Sequence, residues 1–131
     1  MDHAALRRYC EAKRAAVAEH PFGPGALVMK VGGKIFAIIG EDDDPVTISL
    51  KCEPELATAL RAAHDAVLPG YHLDKRHWNT VTLDGTVSDS DVRDWIDDSY
   101  DLVVDRLPRR SREGIQTGPR ETSRPKSRGG N

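Results

Sequence analysis

The clustering of β-rich runs is the feature that most constrains the fold of this chain. Two such runs, LVMKV and KIFAII, flank Gly32-Gly33, and a third, VTISL, follows a polar turn at residues 41–45. A Gly-Gly dipeptide tolerates the positive φ angles of a tight hairpin turn. Because these strands follow one another without an intervening helix, the pattern predicts an antiparallel meander and excludes a parallel βαβ fold.

Helical segments are predicted on both sides of this meander. An Ala-rich stretch with apolar residues at helical spacing predicts a first helix that ends near His20-Pro21. The residues on its apolar face are Leu6, Tyr9, Cys10 and Val17. Pro54 suits the first turn of a second helix, because the missing N–H costs nothing there, and this helix is predicted over Pro54–Ala63.

The remaining elements complete the predicted fold. Two strands are predicted at residues 71–73 and 77–83, joined by the polar turn Asp74-Lys75-Arg76. Ser88, with Asp91 three residues later, resembles a capping box and predicts the start of a third helix. The predicted order is α-β(3)-α-β(2)-α, which is an α+β fold of two layers with a five-stranded antiparallel sheet covered by helices.

Apolar residues of the third helix recur at three- and four-residue steps and predict a face that lies on the sheet. They are Val92, Trp95, Ile96, Tyr100, Val103 and Leu107. We expect the largest core side chains to be Trp78, Trp95, Tyr100, Phe36 and Ile38.

The chain divides at Pro108 into a folded domain, residues 1–107, and a basic tail, residues 108–131. The tail has seven basic and two acidic residues, a net charge of +5, and Ile115 is its only large apolar residue. We predict that it is disordered, because it cannot bury enough surface to offset its ordering entropy. The domain has 12 basic and 19 acidic residues, a net charge of −7. No apolar run approaches the roughly 20 residues of a spanning helix, so we expect a cytoplasmic protein without membrane contact.

The segment PGYHLDKRHWNT concentrates histidines, cations and aromatic residues. On a strand, His77 and Asn79 would point to one face while Trp78 and Thr80 point to the other. Trp78 would then pack into the core and leave His77 and Asn79 to a partner. The alternative interpretation is a solvated hairpin in which Trp78 alone has a structural role.

Together with FGPGALVMKVGGKIFAII, ISLKCEPELA and DWIDDSYDLV, this segment closely resembles the MmcQ/YjbR family of small bacterial proteins over about residues 5–107. The resemblance implies the same α-β(3)-α-β(2)-α fold, similar to type III secretion chaperones. It also implies DNA binding, since family members are commonly described as DNA-binding by likeness to the double-wing domain of the phage MotA activator. Asp74 departs from the family, whose members often have Asn at that position.

The family motif falls on eight residues of this chain, and all of them except Trp78 are the candidate nucleic-acid contacts. The seven candidates are Lys51, Tyr71, His72, Lys75, Arg76, His77 and Asn79. In this interpretation Lys75 and Arg76 neutralise phosphates, and His77 or Asn79 reaches base edges. The partner would be double-stranded DNA. The competing hypothesis is a protein-interaction module without nucleic-acid binding, favoured by the chaperone-like fold and the acidic domain.

Other chemistry has little support in the sequence. Cys10 and Cys52 are expected to be buried free thiols, and no four-ligand set completes a zinc pattern. Gly32-Gly33 lacks the Lys-Ser/Thr that follows the glycines of a phosphate loop. We therefore expect no enzyme activity, no metal, no cofactor and no small-molecule substrate.

Overall fold

The computed structural model describes residues 1–116, which form one antiparallel sheet with four helices. The helices are α1 (His3–Glu11), α2 (Pro54–Ala63), α3 (Asp89–Asp105) and α4 (Arg109–Gln116). The strands are β1 (Val17–Glu19), β2 (Ala26–Val31), β3 (Lys34–Gly40), β4 (Thr47–Lys51), β5 (Val67–Pro69) and β6 (Trp78–Thr82). In the sheet they lie in the order β1-β2-β3-β4-β6-β5, six strands where the sequence predicted five.

The elements with clear local signals are confirmed. The β2–β3 hairpin turns at Gly32 and Gly33, whose φ angles are 58° and 80°. Helix α2 has the predicted bounds, with Pro54 in its first turn. Helix α3 begins after Ser88, whose hydroxyl accepts a 3.0 Å hydrogen bond from the Asp91 backbone N–H.

The prediction that the first helix continues to residue 20 is wrong. Helix α1 ends at Glu11, and Val17 lies in β1, where it pairs with Lys30 of β2. The backbone between the two elements turns through Ala15, which has a φ of 62°. Pairing with the edge of the sheet thus overrides the helical propensity of the alanines, a preference that amounts to less than about 1 kcal/mol per residue.

The predicted strand at residues 71–73 is also wrong. The strand that pairs with β6 is β5, with Val67 opposite Val81, and residues 70–77 form the loop between the two strands. The Gly70 N–H donates to the Trp78 carbonyl at 2.8 Å and closes this hairpin. A side chain at Gly70 would bring its Cβ to 2.7 Å from Trp78 Cβ, so only glycine allows the two strands to approach there.

The predicted tail contains an additional helix in its first part. Residues 109–116 form α4, and Ile115 packs against the hydrophobic core. The remainder of the predicted disordered segment, residues 117–131, lies outside the described residues.

The core lies between the helices and one face of the sheet. Alternate residues of the central strands point into it, as do Leu6 and Cys10 of α1 and Val92 and Ile96 of α3. The strand residues are Leu27, Met29, Val31, Ala37, Ile39, Ile48, Leu50, Val67 and Val81. Helix α3 crosses β2, β3 and β4, and α2 lies against β5 and β6.

The expected core is correct in part. Phe36 and Tyr100 are buried and meet edge to face, with ring centroids 5.3 Å apart. Trp78, Trp95 and Ile38 are only half-buried. Strand β6 is turned over relative to the prediction, because the alternation that places Val81 in the core also points Trp78 to the second face of the sheet.

Candidate functional site

A cationic groove of about 490 Å³ lies at the end of the sheet where β3 begins and β4 ends. Its lining residues are Lys30, Gly33, Lys34, Ile35, Lys51, Trp78, Val103 and Arg106. We call it the lysine groove. Four of the described residues that line it are cations and none is an acid, so it presents positive charge beside the apolar surface of Trp78 and Ile35.

Strand pairing places Lys30, Ile35, Lys51 and Trp78 on the face of the sheet away from the core. Lys51 is the last residue of β4 and lies directly opposite Trp78 on β6. Lys30 lies opposite Ile35 across the β2–β3 hairpin, and Lys34 begins β3 immediately after the glycine turn. Lys34 pairs with the core residue Val31 and so projects to the opposite face, and it lines the groove at the end of the strand together with Val103 and Arg106.

Helix α3 fixes the backbone at this end of the sheet through Ser99. The Ser99 hydroxyl donates to the Phe36 carbonyl at 2.6 Å and accepts from the Lys51 backbone N–H at 2.9 Å. Ser99 is fully buried, and the two backbone groups lie beyond the last β3–β4 pair, Ala37 with Leu50. The serine therefore satisfies groups that the ladder leaves unpaired and fixes the position from which Lys51 projects.

The groove cations differ in their partners. Lys30 Nζ lies 3.0 Å from Glu19 Oε1, and Arg106 Nη2 lies 3.4 Å from Glu53 Oε1. Within residues 1–116, neither Lys34 nor Lys51 forms an ion pair with a carboxylate. Two of the four positive charges are therefore not neutralised by any acid in this part of the chain.

We call the loop at residues 70–77 the hairpin loop. Several of its charged side chains form hydrogen bonds to other residues of the same loop. Lys75 Nζ donates to the Gly70 carbonyl at 3.0 Å. Asp74 accepts from the Arg76 backbone N–H at 3.0 Å and lies 3.0 Å from His77 Nδ1. The His77 hydrogen bond, followed by the Arg76 N–H, holds the pKa of the exposed Asp74 carboxyl below its usual value. Of the three polar residues at positions 75–77, Arg76 alone has no side-chain partner among the described residues.

Asn79 does not face a partner, which corrects its predicted role in base contact. It is buried, its Oδ1 accepts from Arg61 Nη1 at 3.1 Å, and its Nδ2 donates to the Ala57 carbonyl at 3.3 Å. Arg61 Nη1 also donates to the Lys75 carbonyl at 2.8 Å. Because β6 alternates with Val81 toward the helices, Asn79 joins the sheet to α2 and supports the hairpin loop from inside.

Tyr71 and His72 are exposed at the start of the hairpin loop. Their ring centroids are 4.0 Å apart, and His72 has a φ of 58°, which is typical of a turn and not of a strand. The Tyr71 backbone N–H donates to Thr80 Oγ1 at 3.1 Å. Neither residue lines the lysine groove.

The structure thus separates the predicted site residues into three places. Lys51 lies in the lysine groove, Asn79 is in the core, and the other five are in the hairpin loop. The loop and the groove meet where the His77 carbonyl accepts from the Cys52 N–H at 2.7 Å. Sequence reasoning missed three groove cations, which are Lys30, Lys34 and Arg106. The two lysines flank the Gly32-Gly33 turn, but pairing of the hairpin places them opposite Ile35 and Val31 on successive rungs, so the sequence pattern did not bring them to one site.

Both cysteines are unpaired and buried. Burial raises the pKa of the Cys10 thiol to about 12 and that of the Cys52 thiol to about 11. Over residues 1–116 there is no group of three or more His, Cys, Asp or Glu side chains suited to a metal ion. The helices of this same part of the chain are too short or too polar to cross a bilayer.

Comparison with known proteins identifies the family. Residues 11–102 match the family model described as YjbR. The uncharacterised protein YjbR of Escherichia coli K12 is 40% identical over 108 residues, which cover 82% of this chain and 92% of that protein. The uncharacterised protein YyaQ of Bacillus subtilis is 33% identical over 77 residues, 59% of this chain and 64% of that protein.

Solved structures share the fold. The crystal structure of a Deinococcus radiodurans protein aligns with a TM-score of 0.82 at 36% sequence identity and covers 86% of each chain. A crystal structure of a Pseudomonas syringae protein aligns with a TM-score of 0.68 at 28% identity over 78% of this chain and 98% of that one. The match of sequence and of fold over the same region confirms the resemblance drawn from the motifs: the chain belongs to the YjbR family.

Proposed function

We propose that this protein binds DNA through phosphate contacts made by the lysine groove and by Arg76 of the hairpin loop. The observation that carries the proposal is the pair Lys34 and Lys51, which face one groove without a carboxylate partner in residues 1–116. Unpaired lysines at a fixed position neutralise phosphates and release counterions, which is the main source of affinity in sequence-independent binding.

The main phosphate contact then lies at the base of the β5–β6 hairpin, beside Trp78, and not at its tip, where it was predicted from the sequence. Lys75 is bonded to the Gly70 carbonyl, and Asp74 offsets the charge beside it, so the loop contributes less than its composition suggests. Asn79 is occupied by Arg61 and Ala57. Without an amide at the surface to reach base edges, the predicted binding is insensitive to sequence at this site.

The test is binding of a labelled random-sequence duplex, measured by fluorescence anisotropy at several salt concentrations. We expect log K to fall linearly with log salt, by about 0.9 for each phosphate contact. Lys34→Ala and Lys51→Gln should each weaken binding and lower the slope by about one contact. Arg8→Gln is the matched control, because Arg8 is an exposed cation of α1 outside the groove. Absence of salt-sensitive binding at low salt would reject the proposal.

A protein-interaction module is the second candidate, and exposed apolar residues at the edge of the sheet favour it. Leu68 is 55% exposed and Tyr71 is 72% exposed. Both adjoin Thr80, since Leu68 pairs with it and the Tyr71 N–H donates to its hydroxyl. A protein that shows no DNA binding, and whose partner binding is abolished by Leu68→Ser with Tyr71→Ser, would have this function instead.

We further propose that the protein has no catalytic activity of its own. The two thiols support this, because a pKa of about 12 for Cys10 and about 11 for Cys52 keeps both protonated at neutral pH. The thiolate, not the thiol, is the nucleophile. Slow labelling of both cysteines by an alkylating reagent in the folded protein is the expected result.

A further inference from the structure

We propose that the lysine groove binds an unpaired nucleotide of a single-stranded nucleic acid, with the base against Trp78 and the phosphates at Lys34 and Lys51. This inference rests on the proposed function and specifies the ligand of the same site. Its chemistry is shared by DNA and RNA, since it needs only a planar base and flanking phosphates.

The volume of the groove is sufficient for a single nucleotide. Its volume of about 490 Å³ falls in the range of about 300 to 1,000 Å³ that holds small organic ligands. Readers of duplex DNA instead place a helix or a β-ribbon in the major groove, which is about 12 Å wide. The lysine groove is a concavity in the protein surface, and a single base with its phosphate is its proposed occupant.

The arrangement of charge is suited to a ligand with phosphates on both sides of a base. Lys51 lies opposite Trp78 on the neighbouring strand, and Lys34 lies at the start of β3 on the other side of the groove. Lys30 and Arg106 are paired with Glu19 and Glu53, so their positive charge is partly offset. The two lysines without acidic partners in residues 1–116 therefore mark where the ligand carries its negative charge.

Trp78 supplies the surface for a base. It lines the groove together with Ile35 and Val103, and its side chain is half-buried, so part of the ring system remains accessible. The backbone beneath it is fixed by the Gly70 N–H on one side and by the Lys51 pairing on the other. Stacking on aromatic rings tolerates any base, which agrees with the absence of an exposed amide at Asn79.

The experiment compares three ligands by fluorescence anisotropy at low salt: oligo-dT and oligo-rU of roughly 12 nucleotides, within the site sizes of single-strand-binding domains, and a duplex of equal length. We expect oligo-dT, oligo-rU or both to bind more tightly than the duplex, and the two single strands show whether the source is DNA or RNA. Trp78→Leu should weaken single-strand binding by about 5- to 150-fold, the range for loss of one stacked base. Duplex binding should change less than about 2-fold, because it depends on phosphate contacts.

Two further variants keep the result interpretable. Trp78→Phe retains a ring and should lose less affinity than Trp78→Leu. Trp95→Leu is the matched control, because Trp95 of α3 lies near α2 and outside the groove, so this variant should leave affinity unchanged in protein with a native circular dichroism spectrum.

The outcomes separate this inference from the proposed function. If duplex and single strands bind equally and Trp78→Leu affects neither, the inference is overturned while DNA binding stands. If single strands are preferred but Trp78→Leu and Trp78→Phe bind like the parent, the groove is not the site and the inference is also overturned. If none of the three ligands binds, both proposals fail.

Discussion

Lys13 and Asp97 show how a charged pair is used inside this core. The Lys13 Nζ lies 2.7 Å from Asp97 Oδ1, and the Tyr9 hydroxyl donates to the same oxygen at 2.8 Å. The ammonium also lies 5.0 Å from the ring centroid of Tyr100. Both members of the pair are less than 5% exposed, with Lys13 at 3% and Asp97 at 4%. The sequence gives no sign of this, because lysine and aspartate are almost never buried and the two residues are far apart in the chain.

We expect Lys13→Met to destabilise the protein by about 3 to 5 kcal/mol, because it leaves Asp97 buried without its ammonium partner. Urea unfolding followed by tryptophan fluorescence measures the change. The double variant Lys13→Met with Asp97→Leu should recover much of the loss, because it removes both charges together. A single variant as stable as the parent would show that the pair is not desolvated.

Asp74 provides a test of the hairpin loop by titration. Its pKa is lowered first by the His77 hydrogen bond, so a carboxyl resonance followed by NMR should titrate below the ordinary value of about 3.9. The folded pKa lies below the unfolded pKa. The contacts of Asp74 therefore stabilise the loop above the unfolded value and are lost as the pH falls through the lowered folded value.

His77→Ala should move the Asp74 midpoint upward toward its ordinary value. Asp84 is the control, because its pKa is lowered by the Thr86 hydroxyl and backbone and should not respond to this substitution. An Asp74 midpoint that does not move would show that His77 is not its partner in solution.

At the level of elements, the short helix α4 is anchored by one apolar residue. Ile115 packs against the core, and its carbonyl accepts from Arg14 Nη1 at 3.4 Å. We expect Ile115→Ala to lower the free energy of unfolding by less than the about 2 to 5 kcal/mol expected for a fully buried isoleucine, since the Ile115 side chain is half-buried.

The adjacent substitution Gly114→Ala should instead raise the free energy of unfolding by up to about 1 kcal/mol, because a Cβ there meets no atom within 4 Å. Thermal unfolding of both variants measures the difference.

Elements with a local chemical signal were predicted well. Pro54 and Ser88 mark the starts of α2 and α3, and Gly32-Gly33 marks the β2–β3 turn. Each of these residues favours a local backbone conformation or caps the adjacent helix, so its effect can be predicted without knowledge of the tertiary structure. Strands β1 and β5 were missed because each has only three residues and is stabilised by pairing with another strand, β2 for β1 and β6 for β5.

The candidate site was predicted less well than the fold for the same reason. Which face of β6 enters the core depends on its register with β4, and a shift of one residue exchanges Trp78 with Asn79. Lys51 was identified from the family motif, whereas Arg106 comes to the groove only through the packing of α3 on the sheet. The sequence around Arg106 therefore does not predict its position in the groove.

For the whole molecule, the distribution of charge separates two sources of DNA affinity. Residues 1–116 have 15 basic and 20 acidic residues, a net charge of −5, while residues 117–131 have four basic and one acidic, a net charge of +3. We expect deletion of residues 117–131 to weaken DNA binding equally for all sequences and to reduce its salt dependence. Cutting at residue 107 would also remove α4, so it would confuse loss of charge with loss of packing.

The contribution of the lysine groove should persist in the shortened chain. Lys51→Gln should weaken binding by the same factor with or without residues 117–131, because the two sets of contacts would be independent. If the shortened chain shows no residual binding while Lys51→Gln in the full chain binds like the parent, all of the affinity would come from the basic segment.

The strand order of the sheet predicts the order in which its strand pairs form during folding. The β2–β3–β4 meander joins strands that are neighbours in the chain, whereas α2, β5 and the hairpin loop separate β4 from its partner β6 in the sequence. Closing a longer loop costs more entropy before its contacts repay it, so the meander is expected to form in the transition state and the β4–β6 ladder after it. Gly33→Ala, at a φ of 80°, should then mainly slow folding, whereas Val81→Ala should mainly speed unfolding in stopped-flow chevron measurements. Because Lys51 and Trp78 belong to the β4–β6 pair, we expect the lysine groove to form late in folding.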